Sequence, residues 1–266
     1  MKEIAEDMYQ DENEHVIDLW TPCEFHIDKE YEYVPKGFLF SLFSNLLYYG
    51  IAYPVLTVLT KVIYDLKIEG EENVKSLKTG AISVSNHVMF LDCAMTGLSF
   101  RQRKIFFTTQ EDSFKIPVVR KLIRLLKAIP IPENIENKKY FLKEINNILK
   151  QGDIVHIYPE ASLWPYCTNI RNFKNGAFDL AVKNEVPIIP IVYTFRNPKG
   201  IRKFLKKKPD VTVTILKPVE PNKEEPILKQ RMKQLKEIVY TQMKEVVENK
   251  KVKKSLNTEE EICQTM

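Results

Sequence analysis

The stretch AISVSNHVMFLD, residues 81–92, contains the transition that decides the fold. Its first half is a short apolar run rich in β-branched residues, which is typical of a buried strand. Its second half leads into a short helical stretch that begins with the small residues Cys93 and Ala94. Asn86 and His87 therefore lie at a strand-to-helix turn, where α/β sheets place their ligands.

Similar strand-like runs recur on both sides of this stretch, with helical patterns between most of them. The clearest helix spans residues 137–151, and Gly152 follows it as a helix-terminating residue. The predicted strands cover residues 67–70, 81–86, 104–109, 128–132, 153–159, 186–195 and 211–216. Strands that alternate with helices of about 10–15 residues indicate βαβ units. The fold class is therefore α/β, with an open, mostly parallel sheet flanked by helices.

The composition is close to that of an average globular protein. The chain has 266 residues, of which 44% are hydrophobic and 28% are charged, which excludes collagen, a wholly disordered chain and a polytopic membrane bundle. The four cysteines are scattered and form no C-x-x-C motif. This spacing argues against a zinc site and fits a reducing compartment.

The charge is distributed unevenly. Residues 1–35 carry a net charge of −9, so the other 231 residues carry +14, which suggests an anionic partner for the basic part. The start of the chain is acidic and lacks the apolar core of a signal peptide. We expect four parts: an acidic N-terminal arm at 1–35, an apolar helical segment at 36–64, an α/β domain at 65–254 and a frayed C-terminus at 255–266.

The apolar segment contains 24 consecutive residues without a charge, from 37 to 60, between Lys36 and Lys61. About 20 apolar residues are enough to span a bilayer. Gly50 and Pro54 favour a break, so the segment predicts a helical hairpin that associates with one leaflet of a membrane, on its cytoplasmic face. A single span and a pair of helices buried in a soluble core are the alternatives.

His87 and Asp92 form the first candidate site. On a regular helix, five residues separate two side chains by about 140°, so the pair meets only if His87 precedes the helix. The carboxylate then accepts one ring N–H and leaves the other nitrogen as a base for an alcohol or water. Without its context, this spacing would indicate only a helix cap followed by an acidic residue.

A second candidate site follows the strand at 153–159. Glu160 lies where that strand ends, at the same edge of the sheet as His87, and with Ser162 it suits the hydroxyl groups of a polyol. Arg171 and Lys174 precede a helical stretch, and cations at a helix N-terminus suit a phosphate. Taken alone, these two cations would be interpreted as ordinary surface residues.

With these motifs in view, the chain resembles the glycerophospholipid acyltransferase family, whose members acylate 1-acylglycerol-3-phosphate (lysophosphatidic acid) and its relatives. Four family motifs occur in order over about residues 65–195, half of the chain. They are N-H-x-x-x-x-D at Asn86, His87 and Asp92; part of P-E-G-T-R at Pro159 and Glu160; F-K-x-G-A at Phe173, Lys174, Gly176 and Ala177; and V-P-I-x-P at Val186, Pro187, Ile188 and Pro190.

The resemblance implies a glycerol-3-phosphate acyltransferase-like fold and a role for each matched residue. His87 would deprotonate the acceptor hydroxyl, Asp92 would orient His87, and Asn86 and Glu160 would contribute to substrate binding. Acyl-CoA or acyl-carrier protein would be the co-substrate, with no metal and no organic cofactor. Expected partners are membrane lipid and an acidic acyl-carrier protein, and no nucleic acid-binding module is evident.

The sequence also departs from the family pattern at its cationic positions. Ala161, Ser162 and Leu163 replace the G-T-R of the second motif, so its arginine is missing. Glu133 and Gln110 stand where a further arginine and a lysine are expected. Either Arg171 and Lys174 replace the lost cations, or the acceptor is another lysolipid or hydroxylated lipid.

Other features leave alternatives open. His156 lies within a predicted strand and is interpreted as a core histidine. The segment 196–208 contains seven Lys or Arg residues and no acid, which suits anionic headgroups, an acyl-carrier protein or a solvated loop. A hydrolase is less favoured because the chain lacks a G-x-S-x-G motif. A catalytically silent lipid-binding module is disfavoured by the intact His87, Asp92 and Glu160.

Overall fold

The computed structural model describes residues 25, 27–75, 77–206 and 208–263. All seven predicted strands are present in this part of the chain, with their ends within about two residues of the predicted ends. They are β1 Lys67–Glu69, β2 Ala81–Ser85, β3 Ile105–Gln110, β4 Ala128–Ile131, β5 Ile154–Ile157, β6 Ile188–Arg196 and β7 Asp210–Ile215.

The strands form one sheet in the order β1-β7-β6-β2-β5-β3-β4. The pairings β6–β2, β2–β5, β5–β3 and β3–β4 are all parallel, whereas β7 runs antiparallel to β6 and carries β1 alongside it. The prediction of a mostly parallel sheet is confirmed. The carboxyl ends of five strands therefore lie along one edge of the sheet, which we call the carboxyl rim.

Helices cover both faces of the sheet. They are α1 Phe38–Tyr64, α2 Glu72–Lys75, α3 Asp92–Ser99, α4 Pro117–Leu125, α5 Lys138–Lys150, α6 Gly176–Asn184, α7 Arg202–Leu205 and α8 Leu228–Cys263, with short 3-10 turns at Glu111–Phe114 and Ile135–Asn137. One apolar core includes residues of α5, α6 and α8, and a second core on the other face includes residues of α1 and α3. Gly152 has a φ of 84°, as expected for the residue that ends a helix.

Helix α1 differs from the predicted hairpin, and that prediction is wrong. The chain is helical from Phe38 to Tyr64, with a π-helical stretch at Leu46–Ala52 between two α-helical parts. Gly50 lies in the π-helical stretch and Pro54 comes two residues after it. A π-helical turn tolerates a residue that cannot donate an i→i−4 hydrogen bond. Gly50 and Pro54 therefore change the helix locally but do not reverse the direction of the chain.

The surface of α1 also argues against the alternative of a helix buried in a soluble core. Only 6% of its most apolar window is buried within the protein. Its large aliphatic and aromatic side chains face outward, including Phe38, Leu39, Leu42, Phe43, Leu46, Ile51, Val55, Val58 and Val62. The helix is long and apolar enough to cross a membrane.

Both ends of the chain differ from their predicted description where the structure describes them. Ile27 and Tyr33 are buried in the core that contains α5, so the end of the acidic arm belongs to the fold and is not a tail. The arm before residue 25 lies outside the described residues. Helix α8 continues through residues 255–263 to Cys263, where the sequence predicts a frayed end. No glycine or proline follows Pro226 to stop the helix.

Candidate active site

The loop between β2 and α3 brings His87 and Asp92 together on the carboxyl rim. His87 lies in the loop and Asp92 is the first residue of α3, so the two side chains meet. The His87 Nδ1 atom is 2.7 Å from Asp92 Oδ2. The same carboxylate oxygen accepts the backbone N–H groups of Val88, at 3.2 Å, and Met89, at 3.4 Å. The loop thus curls around the carboxylate and fixes it opposite the imidazole.

Tyr158 completes this arrangement from the end of β5. Its hydroxyl donates to Asp92 Oδ1 at 2.7 Å, and its ring stacks on the His87 imidazole with the centroids 3.9 Å apart. Burial and the Asp92 charge raise the pKa of Tyr158 well above its usual range, so the hydroxyl stays a donor. The Asp92 side chain is 1% exposed, whereas that of His87 is 21% exposed. The imidazole is therefore held from two sides and still reaches the surface.

The pairing at Nδ1 determines which ring nitrogen acts. A carboxylate accepts the proton that Nδ1 carries, which leaves Nε2 with a lone pair. A base oriented by a buried acid suits the deprotonation of a hydroxyl group or of water.

His156 lies behind Tyr158 and is a core histidine, as its place in a strand suggests. Its ring nitrogens contact Ser83 Oγ at 2.9 Å and Ser85 Oγ at 3.3 Å, and its ring meets that of Tyr158 edge-on at 4.6 Å. Burial, with a smaller effect of His87, lowers the pKa of His156 to about 3. His156 is therefore neutral and supports Tyr158 from below.

Asn86 connects β2 to β6. Its Oδ1 accepts the backbone N–H of Tyr193 at 2.8 Å, and its Nδ2 donates to the Tyr193 carbonyl at 3.1 Å. The Tyr193 hydroxyl in turn donates to the Asp92 carbonyl at 2.6 Å. Asn86 is 1% exposed. The amide is thus used within the protein, where it holds the turn that carries His87, and its predicted contact with substrate stays a prediction.

Glu160 also stabilises the His87 loop from within the protein. Its side chain is 0% exposed. Its Oε2 accepts the backbone N–H of His87 at 3.2 Å, and its Oε1 accepts that of Arg171 at 2.9 Å. A buried carboxylate needs internal partners, and Glu160 has them. The predicted binding of acceptor hydroxyls by Glu160 stays a prediction.

Arg171 supplies the charge that balances Glu160. Its Nε and Nη2 donate to Glu160 Oε2 at 3.1 and 2.8 Å, and its Nη1 donates to Ser162 Oγ at 2.9 Å. Nη2 also donates to the Ser162 carbonyl, and Trp164 covers the guanidinium at 4.5 Å. Four of the five N–H groups of a guanidinium are thus engaged inside the protein. Ser162, predicted to bind substrate, is 1% exposed and belongs to the same buried cluster.

Lys174 differs from Arg171 because it is exposed. Its backbone N–H donates to the Pro159 carbonyl at 2.7 Å, which places it directly beside the end of β5 and two residues before α6. The sequence did not identify Lys236 of α8, which reaches the same helix start and donates to Asn175 Oδ1 at 2.7 Å. No sequence motif signals this long-range contact.

The positions that lack the expected cations also lie on the carboxyl rim. Gln110 ends β3, and Glu133, with 65% of its side chain exposed, follows β4. Lys115 approaches Glu133 to 4.0 Å but pairs with Asp112. In the described part of the chain, no group of three or more His, Cys, Asp or Glu side chains is arranged to hold a metal ion.

The fold and this site define a class of protein: an α/β domain with a histidine paired to a buried carboxylate at the carboxyl rim. Residues 65–194 match the family model described as Acyltransferase. This match agrees with the resemblance to glycerophospholipid acyltransferases that the motifs suggested.

Two curated relatives are chloroplastic 1-acyl-sn-glycerol-3-phosphate acyltransferases. That of Arabidopsis thaliana is 29% identical over 196 residues, which cover 71% of this chain and 53% of the relative. That of Brassica napus is 30% identical over 193 residues, which cover 71% of this chain and 55% of the relative. The chain thus spans about half the length of these relatives.

A solved structure shares the fold. It is the 1-acyl-sn-glycerophosphate (LPA) acyltransferase from Thermotoga maritima, with a TM-score of 0.51 and 21% sequence identity. The alignment covers 78% of this chain and 95% of that one.

Proposed function

We propose that this protein transfers a fatty acyl group from a thioester donor to the free hydroxyl of a lysophospholipid in phospholipid biosynthesis. The observation that carries the proposal is the 2.7 Å contact between His87 Nδ1 and the buried Asp92 carboxylate, within a domain of the acyltransferase family.

The reaction follows from the position of the base. His87 Nε2 takes the proton of the acceptor hydroxyl as its oxygen attacks the thioester carbonyl carbon. The new ester C–O bond forms and the C–S bond breaks, and the proton passes to the departing thiolate. The buried Asp92 stabilises the imidazolium while it carries that proton. The donor is acyl-CoA or an acyl-carrier protein, both of which are thioesters.

The preferred acceptor is 1-acyl-sn-glycerol-3-phosphate, the compound in the names of both curated relatives. Lys174, exposed beside the end of β5, is our candidate for its phosphate. Arg171 can offer at most one further N–H, because the other four are used by Glu160 and Ser162. A second acceptor class, lysophospholipids with a larger headgroup, is favoured by Gln110 and Glu133 standing where cations were expected.

Association with a membrane is part of the proposal. The exposed apolar surface of α1 supports it, since a contiguous patch of this size is unusual on a soluble monomer. An acceptor with an acyl chain resides in a bilayer, so an enzyme attached to the cytoplasmic face meets it there. A single span and an interfacial helix both agree with a 27-residue helix.

The test is an acceptor screen by mass spectrometry with the purified full chain in detergent or vesicles. Acyl-CoA and acyl-carrier protein thioesters are supplied in turn with lysophosphatidic acid, lysophosphatidylcholine, lysophosphatidylethanolamine and lysophosphatidylglycerol. We expect the largest product signal from lysophosphatidic acid. A signal from lysophosphatidylcholine alone would support the second acceptor class.

Variants separate chemistry from binding. His87→Ala should remove product formation, and Asp92→Asn should lower it by about two to four orders of magnitude, with thermal unfolding unchanged within a few degrees. Lys174→Ala should raise KM for lysophosphatidic acid and leave kcat almost unchanged, whereas Lys183→Ala, on the exposed surface of α6, should change neither. Full activity in His87→Ala would refute the proposed mechanism.

A further inference from the structure

A second apolar patch lies on α7, apart from the long helix α1. Ile201, Phe204 and Leu205 are 73%, 87% and 75% exposed. Three large apolar side chains within five residues are thus turned to solvent, and an exposed apolar patch of this kind commonly marks an interaction site.

Polar contacts hold this patch beside the last turn of α1. Arg202 Nη2 donates to the Val62 carbonyl at 3.0 Å, and Lys206 Nζ donates to the Ile63 carbonyl at 2.7 Å. Both cations also bind Asp210, the first residue of β7. Val62 itself is 64% exposed, so the apolar surface of α1 lies close to that of α7.

The patch also lies near the candidate active site. Strand β6 ends at Arg196, whose Nη2 donates to the Asp65 carbonyl at 2.6 Å, directly after α1. The neighbouring Phe195 ring lies 5.6 Å from that of Tyr166, and the Tyr166 N–H donates to the Val88 carbonyl at 2.8 Å. Two contacts thus connect the end of β6, six residues before α7, to the loop that carries His87.

We propose that α7 inserts its apolar side chains into the surface of an anionic phospholipid membrane and holds the His87 loop against the bilayer. The charge pattern fits this partner, because Lys199, Lys203 and Lys208 flank the patch and the segment from 196 to 208 contains no acid. Proximity to α1 favours a bilayer over an acidic acyl-carrier protein. This inference rests on the membrane association proposed above for α1.

The direct test places a tryptophan at the patch in the full-length chain. Phe204→Trp is compared with the parent protein on vesicles of phosphatidylcholine with phosphatidylglycerol. We expect the added emission to shift to the blue and to be quenched by brominated lipid. The matched control is Ile227→Trp, at an exposed position directly before α8. In this part of α8, Arg231 pairs with Glu185, which precedes β6 and so lies at the end of the strands opposite the carboxyl rim. The emission added by Ile227→Trp should not change.

The outcomes separate the two proposals. Flotation of the Phe204→Trp protein with vesicles, without a change in its added emission, would overturn the role of α7 and leave that of α1 intact. No flotation at all would overturn both. An emission change that requires acyl-carrier protein and is absent with vesicles would overturn the membrane as the partner of α7.

A second variant measures the size of the effect. Phe204→Ser should lower the vesicle partition coefficient about tenfold, as expected for loss of a partly inserted phenyl group. Ile227→Ser should leave it unchanged. Equal partitioning of the two serine variants would contradict the proposal.

Discussion

Replacing Arg171 with methionine tests the buried ion pair beneath the His87 loop. The substitution preserves much of the side-chain volume but leaves the Glu160 carboxylate, which is 0% exposed, without its guanidinium partner. The two backbone N–H bonds to the carboxylate remain. Removing one partner of a buried ion pair costs about 3–5 kcal/mol, because the other charge stays desolvated.

An exposed pair sets the scale for comparison. Lys183 and Asp179 form an ion pair of 2.7 Å on the surface of α6, with side-chain exposures of 56% and 46%. Such a pair contributes about 0.5 kcal/mol or less, because water screens it. For a domain of this size, 1 kcal/mol corresponds to about 2–4 °C in Tm. Arg171→Met should therefore lower Tm by about 10 °C, and Lys183→Met by about 1–2 °C.

The assay is thermal unfolding in detergent, followed by tryptophan fluorescence, since Trp164 covers the Arg171 guanidinium at 4.5 Å. Urea unfolding followed in the same way supplies the free energies. A double-mutant cycle with Glu160→Gln isolates the pairwise contribution. We expect the double variant to be about 2 kcal/mol more stable than the sum of the single effects predicts. An additive cycle would refute the claim that the Arg171–Glu160 pair stabilises the fold more than an exposed ion pair does. Equal destabilisation by Arg171→Met and Lys183→Met would refute it too.

Three further predictions address the same region. Tyr158→Phe removes the hydrogen bond to Asp92 and should lower kcat about tenfold with KM unchanged, in steady-state kinetics; a rise in KM alone would contradict a positioning role. Because burial lowers the pKa of His156 from 6.5 to about 3, the unfolded chain binds an extra proton between these pH values, and stability falls as pH drops. From pH 6.5 to 5 this loss should be about 1.6 kcal/mol in urea titrations and absent in His156→Gln; a pH-independent difference would contradict it. Gly80→Ala would place a Cβ 2.1 Å from the Leu149 carbonyl oxygen, so it should cost at least about 2 kcal/mol, and an unchanged Tm would argue against this close approach.

The strands could be predicted because each is short, apolar and rich in β-branched residues, and because helical patterns separate most of them. The pairing of His87 with Asp92 could be predicted too, since it depends on the local spacing of a strand, a turn and a helix. The partners of Glu160 could not. Arg171 lies eleven residues further along the chain, and only the folded loop shows that the carboxylate is buried and needs that guanidinium.

Helix α1 shows a different limit of prediction from the sequence. Its less exposed positions include a series at every fourth residue, namely Ser44, Tyr48, Ala52, Leu56, Thr60 and Tyr64, beside Phe40, Asn45, Leu47, Tyr53 and Ile63. A regular α-helix repeats every 3.6 residues or so, so a repeat of four would drift around its surface. The π-helical stretch has wider turns and compensates for part of this drift. Gly50 and Pro54 indicate a break by their type alone, whereas the four-residue repeat indicates a continuous helix packed along one side.

The charges around the site determine how strongly the phosphate of the acceptor can be bound. Glu160 neutralises Arg171, Asp112 pairs with Lys115, and Gln110 and Glu133 add no cation. Our proposal assigns the phosphate to the exposed Lys174, and one lysine compensates a phosphate dianion only in part. We therefore expect KM for lysophosphatidic acid to rise steeply with ionic strength, because a solvent-exposed contact is screened over about 8–10 Å at physiological salt. A salt-independent KM would indicate that the phosphate is bound elsewhere or that the acceptor carries a different headgroup.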